Sequence, residues 1–255
     1  MDNKQSDKIK KFKTKNKKKN NKLVLFIVLI VLILIIAGLL FFLPYFNVSE
    51  IIVEGNNKYT YDEVVASSNI LYTENAFGQA IFTSNKGVLT LPYVDKANVY
   101  VVLPNKIKIK VLERSSSYYA FDKEKNKYYR INEEGFILEE ANERQENEII
   151  LNGITFDDEV VFGSKINEID LGKLSIYEKI RDEYLNSSLE LPITKVSFEN
   201  SLTTITLNDK LSVTFPNLTN LKYNVAFLEG IIKNIGEDVS GVIDLNKENP
   251  TFSNF

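Results

Sequence analysis

The chain has no cysteine, no histidine and no tryptophan in 255 residues. Without cysteine there is no disulfide framework and no thiol nucleophile. Without cysteine and histidine, the usual zinc ligand sets are gone. The Ser-His-Asp arrangement is equally impossible, so most hydrolase chemistries are excluded at once. The S-x-x-K and K-T-G strings of penicillin-binding enzymes are also absent. A Ser-Lys dyad of the membrane-peptidase kind remains, with Ser49 as its nearest nucleophile. Acidic pairs such as Asp157-Asp158 and Glu133-Glu134 could suggest paired-carboxylate chemistry. Both stand in polar, turn-like stretches and read as solvated loops. The expectation is therefore no catalytic residue, no metal and no cofactor.

Charge is unevenly spread. Residues 1–22 hold ten lysines and two aspartates, a net +8; the whole chain is −3, which leaves −11 for the rest. An acidic remainder does not call for nucleic acid. The lysine-rich segment 1–22 has almost no apolar residues and reads as a disordered cytoplasmic tail that attracts anionic lipid.

Next comes Leu23–Leu43, 21 residues without a charge, amide or hydroxyl, of which 19 are Leu, Ile, Val or Phe. At about 1.5 Å per residue this length crosses the ~30 Å hydrocarbon core. A cleaved signal would have a shorter apolar core and a small-residue cleavage site. Segment 23–43 is thus read as a transmembrane helix. The lysine bias sets the N-terminus in the cytoplasm and the C-terminus outside, a single-pass type II topology.

Beyond Pro44, strand and helix signals alternate. Phe46–Gly55 is strand-like, Thr60-x-x-Glu63 is a capping box, and Ser84 caps a second short helix ended by Pro92. Val94–Leu103 and Lys106–Glu113 are strands about a Pro104-Asn105 turn. In the latter, Ile107, Ile109 and Val111 alternate with Lys106, Lys108 and Lys110, which predicts one buried and one solvated face. Ser115–Ser117 is a polar boundary. After it come a hairpin, Tyr118–Phe121 with Tyr128–Ile131, and a turn Asn132–Gly135 into Phe136–Glu139. Glu139–Glu148 reads as a solvated loop, Ile149–Leu151 as a strand, and Val160–Phe162 as another. Leu171–Leu185 is a helix. Ile193–Glu199, Thr203–Leu207 and Leu211–Phe215 form a meander, Asn220–Ile235 is a helix, and Val239–Leu245 is the last strand before a polar tail.

Several of these strings resemble the FtsQ/DivIB family of bacterial cell division proteins: FNVSEIIVEGNNKYT after the span, LPNKIKIKVLER at Leu103–Arg114, the Asn132–Gly135 turn, and Lys222–Leu228 before Ile243-Asp244-Leu245. The Lys-, Asn- and Ile-rich composition suits a Gram-positive member. Two features depart from the family pattern: Ser115–Ser117 stands where a proline usually follows the Glu-Arg pair, and Ile149–Gly153 lacks its proline. The resemblance implies an α+β fold: a single transmembrane helix, a POTRA domain (β-α-α-β-β) over 44–114, and a mixed β-rich domain with two helices over 115–250. A C-terminal tail occupies 251–255. It further implies a divisome scaffold enriched at the septum. Its partners would be FtsL-like and DivIC/FtsB-like proteins, and through them the septal peptidoglycan synthase. A secretion chaperone is the alternative POTRA role. The partner site is expected on the last strand as a sheet edge, at Val242, Ile243, Asp244 and Leu245, with Phe252 as an anchor in the tail.

Overall fold

The computed structural model describes residues 21–83, 85–146, 148–216, 218–236, 238–247 and 250–254. The lysine-rich segment 1–20, the expected helix cap Ser84 and the last residue, Phe255, lie outside them. The first element is helix α1 (Asn21–Phe42). Its apolar side chains from Leu23 to Ile36 are all exposed. Among the described residues it is the one helix long and apolar enough to cross a membrane.

The way α1 ends follows from one residue type. The Leu40 carbonyl would ordinarily accept a hydrogen bond from the N–H four residues on, but that residue is Pro44, which has none. Asn75 supplies the donor instead, its side-chain amide bonding Leu40 O at 2.7 Å. The same side chain's oxygen accepts from the Phe77 and Gly78 N–H groups, both at 3.0 Å, and so caps the short helix α3 (Ala76–Gly78). Backbone bonds Val48 N–H to Glu74 O (2.8 Å) and Thr73 N–H to Val48 O (3.2 Å) complete the fastening. One asparagine thus joins the end of the apolar helix to the domain that follows.

That domain is a three-stranded sheet of order β1-β3-β2, with β1 (Glu50–Glu54) parallel and β2 (Val94–Val102) antiparallel to β3 (Lys106–Glu113). Helix α2 (Tyr61–Ser68) opens on the expected capping box: Thr60 Oγ1 accepts from Glu63 N–H, and the Glu63 carboxylate accepts from Thr60 N–H at 2.7 Å. Ile107, Ile109 and Val111 are buried with Val64 from α2 in a single cluster. The lysine face looks outward, and Lys106 and Lys108 pair with Glu50 (2.5 Å) and Glu54 (2.8 Å) of β1. These exposed pairs contribute little, about 0–1 kcal/mol each. The second helix expected here is instead α3, continuing as a π-helical turn, Gln79–Thr83, and a 3-10 turn, Val88–Thr90.

The rest of the chain forms one mixed sheet of nine strands, ordered β12-β11-β10-β9-β8-β7-β4-β5-β6. The strands are β4 (Tyr118–Asp122), β5 (Lys127–Ile131), β6 (Ile137–Glu140), β7 (Ile149–Asn152), β8 (Ile193–Glu199), β9 (Leu202–Leu207), β10 (Leu211–Phe215), β11 (Gly241–Asp244) and β12 (Thr251–Asn254). Helix α4 (Glu168–Leu185) connects the parallel pair β7 and β8, and α5 (Leu221–Ile235) connects the parallel pair β10 and β11. Both helices bury their apolar stripes in the sheet's core: Leu174, Tyr177, Ile180 and Tyr184 from α4, and Val225, Leu228 and Ile232 from α5. Gly236, at φ +88°, ends α5 as expected.

Three expectations are corrected. Residues 251–254 are not a tail: they pair antiparallel with β11 as β12. Val160–Phe162 is not a strand but part of an irregular segment that returns along β6. The acidic stretch 139–148 is not wholly solvated, because Glu148 is buried, 3 % exposed, on the Arg130 guanidinium at 2.8 Å.

Candidate functional site

Sheet edges are where a β protein is open to a partner strand. At one end of the nine-stranded sheet, β6 is covered by its own chain. Ile137 N–H bonds Ser164 O (2.8 Å), Gly163 N–H bonds Ile137 O (2.7 Å), and Ile166 N–H bonds Gly135 O (2.9 Å). At the other end, β12 has no neighbouring strand on its outer side among the described residues.

Alternation along the strands fixes the direction of each backbone group on β12. Gly241 and Leu245 donate to Lys210 O (3.1 Å) and Thr214 O (3.0 Å), so the odd-numbered residues of β11 point their backbone groups at β10. Val242 and Asp244 therefore point theirs at β12, opposite Ser253 and Thr251. This leaves Phe252 and Asn254 with outward N–H and C=O groups. The sequence-based edge, Val242 to Leu245, is accordingly corrected by one strand: β11 is internal. Ile243 and Leu245 are core, while Val242 and Asp244 are half-buried. Phe252 sits on the true edge. It is half-buried, lies opposite Ile243 and packs on the core rather than hanging in a tail.

One face of this end of the sheet carries mostly hydroxyl side chains in register, interrupted on β11 by Val242 and Asp244. Ser197, Thr204, Thr214 and Asp244 follow one another across four strands, as do Thr206, Ser212, Val242 and Ser253 in the next row. Thr204 and Thr214 bond each other at 2.9 Å. A strand added to β12 would meet this polar face with every second side chain, and the apolar shoulder of Phe252 with the others.

A second cluster holds the two sheets together. The Glu113 carboxylate accepts from the N–H groups of Asn57 (2.8 Å), Lys58 (2.7 Å) and Tyr59 (3.1 Å). Arg114 donates to the carbonyls of Pro92 (3.1 Å) and Val94, pairs with Asp95 (3.3 Å), and stacks on Phe136 with 4.0 Å to the ring centre. Glu139 takes ion pairs from both sides, Lys58 at 3.0 Å and Arg130 at 2.6 Å. Of the Glu-Arg pair, Glu113 fastens residues 57–59 within the first sheet domain, and Arg114, on Phe136, crosses to the second beside the Lys58–Glu139 ion pair.

Burial works to raise the Glu139 pKa, but hydrogen bonds from Lys58, Arg130 and Tyr93 outweigh it and hold the carboxyl below its ordinary value. A lowered carboxyl stabilises the fold above its unfolded pKa of about 4, and that stability is lost as pH falls through the lowered value. The joint should therefore loosen below about pH 4. Because there is no native cysteine, two introduced cysteines can carry spin labels, one on each sheet. The distance distribution between them should broaden on acidification, and Glu139→Gln should already be broad at pH 7. A Glu139→Gln distribution as narrow as the parent's would show that the ion cluster does not set the joint.

The other candidates are not brought together. Ser49 Oγ donates to the Asn105 carbonyl at 3.4 Å. Glu133 pairs with Arg181 (2.8 Å), and Asp157 and Asp158 are exposed. Among the described residues no three acidic side chains converge as metal ligands.

One apolar helix, followed by a β-α-α-β-β sheet domain and a mixed sheet with an open end, defines a single-span membrane protein with a POTRA module. Residues 46–114 match the family model for the POTRA domain, FtsQ-type. A protein of Clostridium acetobutylicum named cell division protein DivIB is 29% identical over 223 residues, 83% of this chain and 84% of that one. A DivIB of Clostridium botulinum is 28% identical over 166 residues, 63% of this chain and 62% of its own. One of Clostridium tetani is 34% identical over 101 residues, 40% of this chain and 37% of its own. Along most of its length the chain is thus similar to cell division proteins named DivIB, and its first sheet domain matches the FtsQ-type POTRA model.

Proposed function

We propose that the chain is a non-enzymatic, bitopic scaffold of the divisome that captures a DivIC/FtsB-type partner by strand addition to β12. The observation that carries this reading is the asymmetry of the sheet: β6 is closed by residues 163–166, while β12 offers the outward groups of Phe252 and Asn254. Main-chain hydrogen bonds would supply affinity, and the alternating polar and apolar faces would supply specificity. In this reading an FtsL-like protein joins the same assembly, and the septal synthase is influenced through it. The chain works as two outer modules, a POTRA domain over 44–114 and a β domain from 115 onward that includes β12. The partner-contacting residues are Phe252 and Asn254 on β12; Val242 and Asp244 stand one strand further in, and Ile243 and Leu245 support the edge from the core. A pulldown of the full chain from dividing cells, with fluorescence imaging for septal enrichment, tests the reading. Uniform envelope staining would favour a secretion chaperone instead.

The orientation rests on the lysine bias, +8 before the span against −11 after it. The ten lysines of residues 1–22 would meet anionic lipid on the cytoplasmic face. Protease added outside protoplasts should remove everything beyond Pro44 and leave an N-terminal fragment of the tail and span. Digestion of the tail with protection of the outer modules would reverse the topology.

A further inference from the structure

The segment fastened to the end of α1 differs in composition from the rest of the chain. Residues 75–85, NAFGQAIFTSN, carry no charge in a chain that is 25% charged. Within them, the π-helical turn Gln79–Thr83 presents Ile81 at 61 % and Phe82 at 79 % exposure. Large apolar side chains exposed side by side on a charge-free turn are a marked surface feature.

Position explains them. Asn75 bonds the Leu40 carbonyl, and the Phe41 ring lies over Gly78. Leu40 and Phe41 belong to the last turn of the apolar span, Lys22–Phe42. Ile81 and Phe82 follow Gly78 by three and four residues, so at about 1.5 Å rise per helical residue they stay within roughly 6 Å of that level along the chain. This is the depth at which acyl chains give way to headgroups, where amphipathic rings and apolar wedges settle. The β2–β3 turn ends at the same level, because Ser49 N–H bonds the Asn105 carbonyl at 2.9 Å. It also presents an apolar residue, Leu103, at 69 % exposure.

We propose that the Gln79–Thr83 turn is a membrane-docking element. Ile81 and Phe82 enter the lipid interface of the leaflet in which α1 ends. The occupant is the bilayer itself, because the patch is continuous with the span and carries no charge for a polar partner to read. Docking and the Asn75 bond together hold the first outer domain at a set height and tilt on the membrane.

The absence of tryptophan makes the test direct. Phe82→Trp in the full-length chain introduces the sole indole, at an exposed position. Leu112→Trp provides a control, exposed at the far end of β3. Both proteins are reconstituted in liposomes with and without lipids brominated on the acyl chains near the carbonyl. Emission of the Phe82→Trp protein should be blue-shifted and quenched at least twofold by the brominated lipid, with the Leu112→Trp protein unaffected. Quenching no greater in the first protein than in the second would overturn the proposal and leave the pair for a protein partner. Adding Ile81→Glu to Phe82→Trp should restore emission. Unchanged quenching in that double variant would also overturn it, since lipid proximity would then come from the span alone.

Discussion

Asn254→Pro should weaken the proposed capture of a DivIC/FtsB-type partner by tenfold or more while leaving the fold intact. The substitution deletes one outward N–H of β12 and places a ring where the next strand would lie. A backbone hydrogen bond contributes about 0.5–1.5 kcal/mol net, and 1.4 kcal/mol is a factor of ten in Kd. The inward bonds to β11 come from Ser253 and Thr251, so the strand itself should survive. Truncation after Gly241 is a harsher variant. It removes the edge but also strips Ile243 and Leu245, both buried, from the core, so circular dichroism must accompany it. Equilibrium binding of a purified partner ectodomain to the reconstituted chain reads the effect. An Asn254→Pro protein that binds like the parent would place the site elsewhere, with the outer side of β2 as the next candidate.

The largest stability effect is expected at Ile109, which is fully buried at the centre of the three-stranded sheet. Ile109→Asp removes the packing of the side chain, about 2–5 kcal/mol, and forces a carboxyl into an apolar core at several kcal/mol more. A domain worth roughly 5–15 kcal/mol should unfold. Its neighbour Lys108 faces out and pairs with exposed Glu54, so Lys108→Ala should cost no more than about 1 kcal/mol. Thermal melts of the two variants, with protease sensitivity of residues 46–114 as a second readout, separate the cases. Equal destabilisation would mean that the alternation along β3 has no energetic content.

Local patterns carried most of the fold into the sequence. The alternation of Lys106–Glu113, the capping box at Thr60 and the stripe through α5 each reside in one short stretch, and each is where it was expected. What escaped was tertiary. Thr251–Asn254 has one apolar residue in four and no alternation of its own, and β11 alone makes it a strand. Val160–Phe162 has the composition of a strand, but Gly163, at φ +85°, turns the chain so that it returns along β6. Glu148 reads as one charge among many until Arg130, eighteen residues earlier in the chain, closes on it. The sheet edge escaped in the same way. Val239–Leu245 was expected to be the edge strand, and the pairing that makes β11 internal lies in the residues that look least like a strand.

The Asn75 bond to the end of α1 also has a mechanical meaning. A domain tethered by a loose linker would tumble independently of its anchor. Here the joint is hydrogen-bonded on both sides, so a tilt of the anchor becomes a tilt of the domain beyond it. The eight residues of β3 extend the lever by about 26 Å at roughly 3.3 Å per residue. A 10° lean of the helix would thus carry the far end of that strand about 5 Å sideways. Bilayer thickness, to which a span can adapt by tilting, would in this way steer where the outer sheet points.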